Sequence, residues 1–98
     1  MIYESSTPYK SSRVYIEGGC YHRLDGPAVT YYYPNGLKSH EYYYVDGLLH
    51  REDGPAIIFY DINENIFVPC NMYFYGNIQY KCSSDQEFKK LIKLLIFK

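Results

Sequence analysis

Apolar and aromatic residues fall in short alternating runs, each closed by a turn signal. Arg13 to Glu17 (Arg-Val-Tyr-Ile-Glu) is the first β-rich run, and Gly18-Gly19 ends it. Cys20 to Leu24 is a brief extended piece. Further runs cover Ala28 to Tyr33, Lys38 to Val45, Leu48 to Arg51, Ala56 to Tyr60, Ile66 to Tyr75 and Ile78 to Lys81. Between them lie Pro34-Asn35-Gly36, Asp46-Gly47, the longer Asp61 to Asn65, and Gly76-Asn77. Asn-Gly and Asp-Gly suit hairpin positions with positive φ. Pro69 donates nothing to a ladder and implies an edge or a bulge. After Lys81 the period changes. Ser84-Asp85-Gln86-Glu87 has the capping-box pattern. Phe88, Leu91, Ile92 and Leu95 then share one helical face, with Lys89, Lys90 and Lys93 on the other. The pattern predicts a mainly β protein: an antiparallel β-hairpin meander of about six or seven strands with a C-terminal α-helical cap.

One stretch is used twice. Residues 21–28 read Tyr-His-Arg-Leu-Asp-Gly-Pro-Ala, and residues 49–56 read Leu-His-Arg-Glu-Asp-Gly-Pro-Ala. His22, Arg23, Asp25, Gly26, Pro27 and Ala28 recur 28 residues later as His50, Arg51, Asp53, Gly54, Pro55 and Ala56. The match extends to Tyr15 and Tyr43, Gly19 and Gly47, Val29 and Ile57. A worn third copy begins near Met72, with Gly76 placed 29 residues after Gly47. The single domain, 1–98, therefore divides into a polar lead-in (1–12), a first unit (13–47), a second (48–76), and a worn unit with its capping helix (77–98). The helix has a reason to be there, because the last unit of a repeat sheet otherwise exposes apolar surface. Asp25-Gly26-Pro27 and Asp53-Gly54-Pro55 break the chain as structural turns. Gly26 and Gly54 precede prolines, where the helical region is disfavoured. At least one of them is expected to adopt dihedrals that a side chain would not tolerate.

Composition narrows the function classes. Ten basic and eleven acidic side chains give a net charge of −1, with no concentrated basic face for nucleic acid. Fourteen Tyr stand among 98 residues, with no Trp. Tyr joins a large apolar ring to a polar tip and suits half-exposed sheet faces. Cys20, Cys70 and Cys82 lack metal-ligand spacing, so no metal or cofactor is expected, and their odd count argues for a reducing compartment. The start Met-Ile-Tyr-Glu-Ser-Ser-Thr-Pro lacks a signal-peptide run. No segment approaches the roughly 20 apolar residues of a membrane span. A cytoplasmic protein without a membrane partner is the expectation.

His22, Arg23 and Asp25, with His50, Arg51 and Asp53, are the polar constellation. Read as a site, they offer a general base and an anion clamp. Read as structure, Asp holds the turn, Arg pairs with an Asp of the same or the next unit, and His caps a ladder end. Duplication favours structure, since residues needed for folding recur in every unit while a catalytic site is usually built once. Tyr31 and Tyr33, facing Tyr42 and Tyr44 across a hairpin, are expected to pack across strands, with Tyr32 on the other side. The same rings suit a protein partner, or stacking of a nucleotide-like molecule. The lysines of the helix could lie on a membrane surface, but its apolar face more often covers its own sheet. Cys82, just before the helix, reads as a reactive thiol or, more simply, as a buried filler.

Strand, Gly turn, short Leu-His-Arg piece, Gly-containing break, strand, Gly turn, aromatic strand: the layout resembles MORN repeats over residues 13–98. The form is a divergent one, with His-Arg-x-Asp-Gly-Pro-Ala in the core, similar to that of small phage and giant-virus proteins. The 28-residue unit is longer than an ordinary MORN unit and lacks the usual Trp. The resemblance implies a stacked hairpin sheet, interaction and assembly rather than catalysis, and no catalytic residues. The expected function is non-enzymatic binding of a protein partner, as in a viral protein acting on a host factor. The alternative is a binder of a nucleotide-like ligand through Tyr and Arg. A homodimer is expected, joined through an uncovered edge at Arg13 to Glu17 or through the Tyr31 to Tyr44 hairpin face.

Overall fold

The computed structural model describes residues 1–6, 11–60 and 70–96. Ten strands precede one helix: β1 (Ile2–Ser6), β2 (Ser11–Glu17), β3 (Cys20–Tyr21), β4 (Val29–Tyr32), β5 (Lys38–Tyr42), β6 (Tyr44–Val45), β7 (Leu48–Leu49), β8 (Ile57–Phe59), β9 (Cys70–Tyr75), β10 (Ile78–Tyr80) and α1 (Asp85–Ile96). All pairings are antiparallel. The fold is the mainly β meander with a C-terminal helix that the pattern predicts. The strands outnumber the expected six or seven partly because the run from Lys38 to Val45 is split at Tyr43. There the chain leaves one neighbour for another: Tyr43 N–H donates to the Ala56 carbonyl (2.7 Å), and its own carbonyl accepts from His50 N–H (3.0 Å). The loop expected over Asp61 to Asn65 and the bulge expected at Pro69 lie outside the described residues.

The strands form two rows side by side. One runs β1-β2-β4-β5-β8-β9; the other is built of the hairpins β2-β3, β6-β7 and β9-β10. The long strands β2 and β9 belong to both rows. The duplicated His-Arg-x-Asp-Gly-Pro segments carry the chain from β3 to β4 and from β7 to β8, stepping from one row to the other. Three hairpin turns have positive φ at both central residues: Gly18 and Gly19 (59° and 80°), Asp46 and Gly47 (51° and 81°), Gly76 and Asn77 (58° and 72°). Such turns match the twist of the flanking strands. They also correct the spacing of the third unit. Gly47 corresponds to Asn77, 30 residues on, and not to Gly76 at 29, because equivalent hydrogen bonds recur at that offset.

Register fixes the faces. Tyr3, Val14, Val29, Tyr42, Ile57 and Met72 form one row across six strands. Tyr31, His40 and Phe59 stand on the same side, and Arg13, Thr30, Glu41 and Ile58 on the other. Tyr73 alternates with Met72 and therefore points away from that first row. Its ring meets Phe88 at 5.0 Å, so α1 covers the Glu41 side at the end of the sheet. Phe88 and Ile92 are buried, Leu95 packs against them, and Lys89, Lys90 and Lys93 are exposed. The helix begins as its cap signal requires. Ser84 Oγ accepts from Glu87 N–H at 3.1 Å. The reciprocal arm is displaced by one residue, with the Glu87 carboxylate accepting from Ser83 N–H (3.0 Å) and from the Ser83 hydroxyl.

The N-terminal edge differs from expectation. The polar lead-in is paired at its start: β1 pairs with β2 over five register positions, and the Met1 ammonium donates to the Ile16 carbonyl at 2.7 Å. The stretch Arg13 to Ile16 is therefore covered by β1 and Met1 and offers no free edge. Among the described residues, no helix is long and apolar enough to cross a membrane.

Candidate functional site

The duplicated polar residues converge on one arrangement, built twice. Arg23 Nε donates to Asp25 Oδ1 at 2.9 Å, and Nη1 donates to the Pro27 carbonyl at 3.3 Å. Arg51 repeats these bonds to Asp53 (3.1 Å) and Pro55 (3.0 Å). Each guanidinium lies over a tyrosine ring, Arg23 over Tyr15 of β2 and Arg51 over Tyr43 between β5 and β6, both at 4.1 Å. Its other side is closed by a glycine. A Cβ on Gly26 would stand 2.8 Å from the Arg23 Cζ, and one on Gly54 would stand 2.9 Å from that of Arg51. This corrects the backbone expectation: neither glycine has a positive φ. Glycine is needed there because a flat cation stacks against it. Arg pairs with the Asp of its own unit, not of the next.

The histidines tie consecutive units together. His22 Nδ1 accepts from Asp46 N–H at 3.0 Å, and His50 Nδ1 accepts from Gly76 N–H at 2.9 Å. Each imidazole thus serves the turn of the following hairpin, the ladder-end role expected of it. His50 also packs its ring 4.5 Å from Tyr75.

Between the two copies lies an open cleft of about 450 Å³ that brings Arg23, Asp25, Tyr43, His50, Arg51 and Asp53 together. Its chemistry is poor for an anion. Asp25, Glu52 and Asp53 line it with the two arginines. Both guanidinium groups are already committed to a carboxylate and a carbonyl. Burial pushes the Tyr43 hydroxyl up, with Arg51 opposing, so it stays a neutral phenol at ordinary pH.

The second arrangement is aromatic and lies on the side away from α1. Tyr31 meets Tyr42 edge-on at 6.1 Å and His40 at 6.0 Å. His40 contacts Phe59 at 4.7 Å, Tyr42 stacks on Tyr44 at 6.4 Å, and Tyr44 meets Tyr21 at 5.2 Å. Six rings are thereby connected. They are half-buried except Tyr21, which is 42% exposed. Burial raises the Tyr42 and Tyr44 hydroxyls above their ordinary range. A shallow depression of about 240 Å³ opens among Tyr21, Val29, Tyr31, Tyr42 and Tyr44.

Tyr33 is not among these rings; its hydroxyl donates to the Tyr60 carbonyl at 2.7 Å. His40, Phe59 and Tyr21 do not stand out in the sequence, although the two-residue period of β5 and β8 puts His40 with Tyr42 and Phe59 with Ile57. On the opposite side Glu41, 4% exposed, accepts from Lys38 Nζ at 3.2 Å and from the Tyr60 hydroxyl. Burial, and then that contact, raise the Tyr60 hydroxyl strongly. No sequence signal marks Glu41. Cys82 is half-buried against the helix, and burial pushes its thiol up, away from reactivity. Among the described residues no cluster of His, Cys, Asp and Glu could hold a metal ion. No family model, curated protein or solved structure matches the chain.

Proposed function

We propose that the chain is a non-enzymatic, MORN-like binding module of the cytoplasm that engages a protein partner through its aromatic face. The observation that carries this reading is the connected set Tyr21, Tyr31, His40, Tyr42, Tyr44 and Phe59, left uncovered by the helix. Rigid aromatic surface is rich in binding energy at interfaces, because Tyr buries much area at small entropic cost. The polar constellation supports the same reading by being consumed internally: each Arg and His serves the fold. Photocrosslinking tests the assignment. A benzophenone amino acid in place of Tyr21 is expected to give a discrete protein adduct in an extract of the source cells. The same group in place of Lys89, on the exposed side of α1, is expected to give none. Equal labelling from both positions, or no adduct from Tyr21, overturns it.

A nucleotide-like ligand in the Arg23–Arg51 cleft is the second reading, favoured by a volume that falls within the range of small-molecule sites. Calorimetric titration with ATP separates the two. Binding that disappears in a folded Arg51→Ala variant would support the cleft.

A further inference from the structure

The way consecutive units join reveals what the last one lacks. The second strand of each hairpin presents one carbonyl and one N–H to the hairpin that follows. In the first unit the Tyr21 carbonyl accepts from Gly47 N–H (2.9 Å), and Arg23 N–H donates to the Tyr44 carbonyl (3.1 Å). In the second, the Leu49 carbonyl accepts from Asn77 N–H (2.7 Å), and Arg51 N–H donates to the Phe74 carbonyl (3.1 Å). There Asn77 adds its side chain, Oδ1 accepting from Leu49 N–H at 3.3 Å. The positions advance together: Tyr21, Leu49, Gln79 and Arg23, Arg51, Lys81. What docks in both cases is a two-residue turn with positive φ throughout.

The third unit has the edge and, among the described residues, no occupant. Gln79 is paired with Phe74 in register, next to the Tyr75–Ile78 pair that closes the turn. By the alternation of an antiparallel hairpin, the N–H and carbonyl of Gln79 point away from β9. Among the described residues nothing bonds these groups or the N–H of Lys81. The edge is open: Ile78 is 59% exposed, and Gln79 and Lys81 are exposed.

We propose that the outer edge of β10, from Gln79 to Lys81, is a docking site for a β-hairpin of a partner protein, its turn built of two positive-φ residues with Asn at the second. Backbone pairing of this kind supplies affinity through main-chain bonds, and the Asn side chain adds one bond that selects the turn. A second copy of this chain is not the occupant, because its own hairpins are engaged. The turns at Asp46-Gly47 and Gly76-Asn77 dock within the chain. The first hairpin has its Ile16 carbonyl taken by Met1, with β1 laid along it. The site keeps three of the four bonds made at Leu49. It lacks the imidazole, since Tyr80 stands where His50 does and packs on Phe88. The edge is separate from the aromatic face, and either can fail without the other.

The probe is a cyclised peptide of the Met72 to Tyr80 sequence, whose turn fills the Leu49 site in the chain. Titrated into the ¹⁵N-labelled full chain, it is expected to shift the amides of Asn77 to Lys81 and to slow hydrogen exchange at Gln79 and Lys81. Lys81→Pro removes one donor and is expected to weaken binding about tenfold, the worth of a single hydrogen bond. A probe with Gly in place of its turn Asn is expected to bind more weakly to the wild-type chain, a comparison that needs no variant protein. Absent shifts at millimolar peptide overturn the proposal. So do shifts confined to Tyr21, Tyr31 and Tyr44, or exchange at Lys81 that peptide leaves unchanged.

Discussion

At the scale of single residues, the duplicated segment is a clamp for a flat cation. Tyr43 lies under the Arg51 guanidinium, Gly54 lies over it, and Asp53 and the Pro55 carbonyl hold its edge. Three of the recurring residue types, Tyr, Gly and Asp, are thereby explained by one group. A methyl group at Gly54 collides with the Arg51 Cζ, and the cheapest relief is to expel the arginine. Gly54→Ala is therefore expected to cost about 1–2 kcal/mol, the order of the hydrogen bonds and ring stacking that hold the guanidinium in place. Arg51→Ala should cost a similar amount. In the Arg51→Ala background, Gly54→Ala should be close to neutral, because the space is then free and alanine restricts the unfolded chain. Urea unfolding of the two single variants and the double variant measures this coupling. Additive losses would show that Gly54 is required by the backbone itself.

At the scale of elements, the strands and the helix were legible because burial imposes a period on the sequence. Val29, Tyr31 and His40, Tyr42 face one way, and Thr30 and Glu41 the other, as alternation requires. The place of Tyr15 and Tyr43 beneath the arginines was not legible, although both belong to the repeated match, since a ring-on-cation contact leaves no local pattern. Nor was β1. The residues of β1, from Ile2 to Ser6, are polar or exposed, and an edge strand with little burial carries no period. The capping box was legible except for one residue, because either Ser83 or Ser84 can receive the glutamate. That arm has a consequence in acid. Its hydrogen bonds to Ser83 hold the Glu87 carboxyl below the ordinary carboxylate range. A depressed pKa contributes stability above the unfolded value and loses it as pH falls through the folded one. Helix content followed by circular dichroism should therefore decline as pH drops below the usual glutamate range. Glu87→Gln should flatten part of that decline. An identical acid profile in the variant would place the loss elsewhere.

At the scale of the whole molecule, the chain is a slab of 49 × 38 × 18 Å. A sheet this thin has two broad faces and too few layers to bury both. The helix covers part of one. The edges are not a convenient route to self-association. Met1 and Ile16 exchange both backbone bonds, so the groups pointing outward from β1 belong to Ile2, Glu4 and Ser6. A two-fold pairing of β1 with its copy in full overlap would set Glu4 against Glu4, and like charges directly opposed are destabilising. The aromatic face carries no such charge, and Tyr21 at its rim is exposed. Two-fold closure of an apolar face is the commonest way to hide it. Self-association should therefore run through Tyr21, Tyr31 and Tyr44. Light scattering at micromolar concentration is expected to give a dimer mass for the wild type. Tyr21→Lys places a charge in the contact and should return the monomer, while Glu4→Gln should leave the dimer unchanged. A dimer insensitive to Tyr21→Lys would move the contact to another surface. A wild-type monomer would reserve the aromatic face for a different protein, the occupant that the crosslinking experiment identifies.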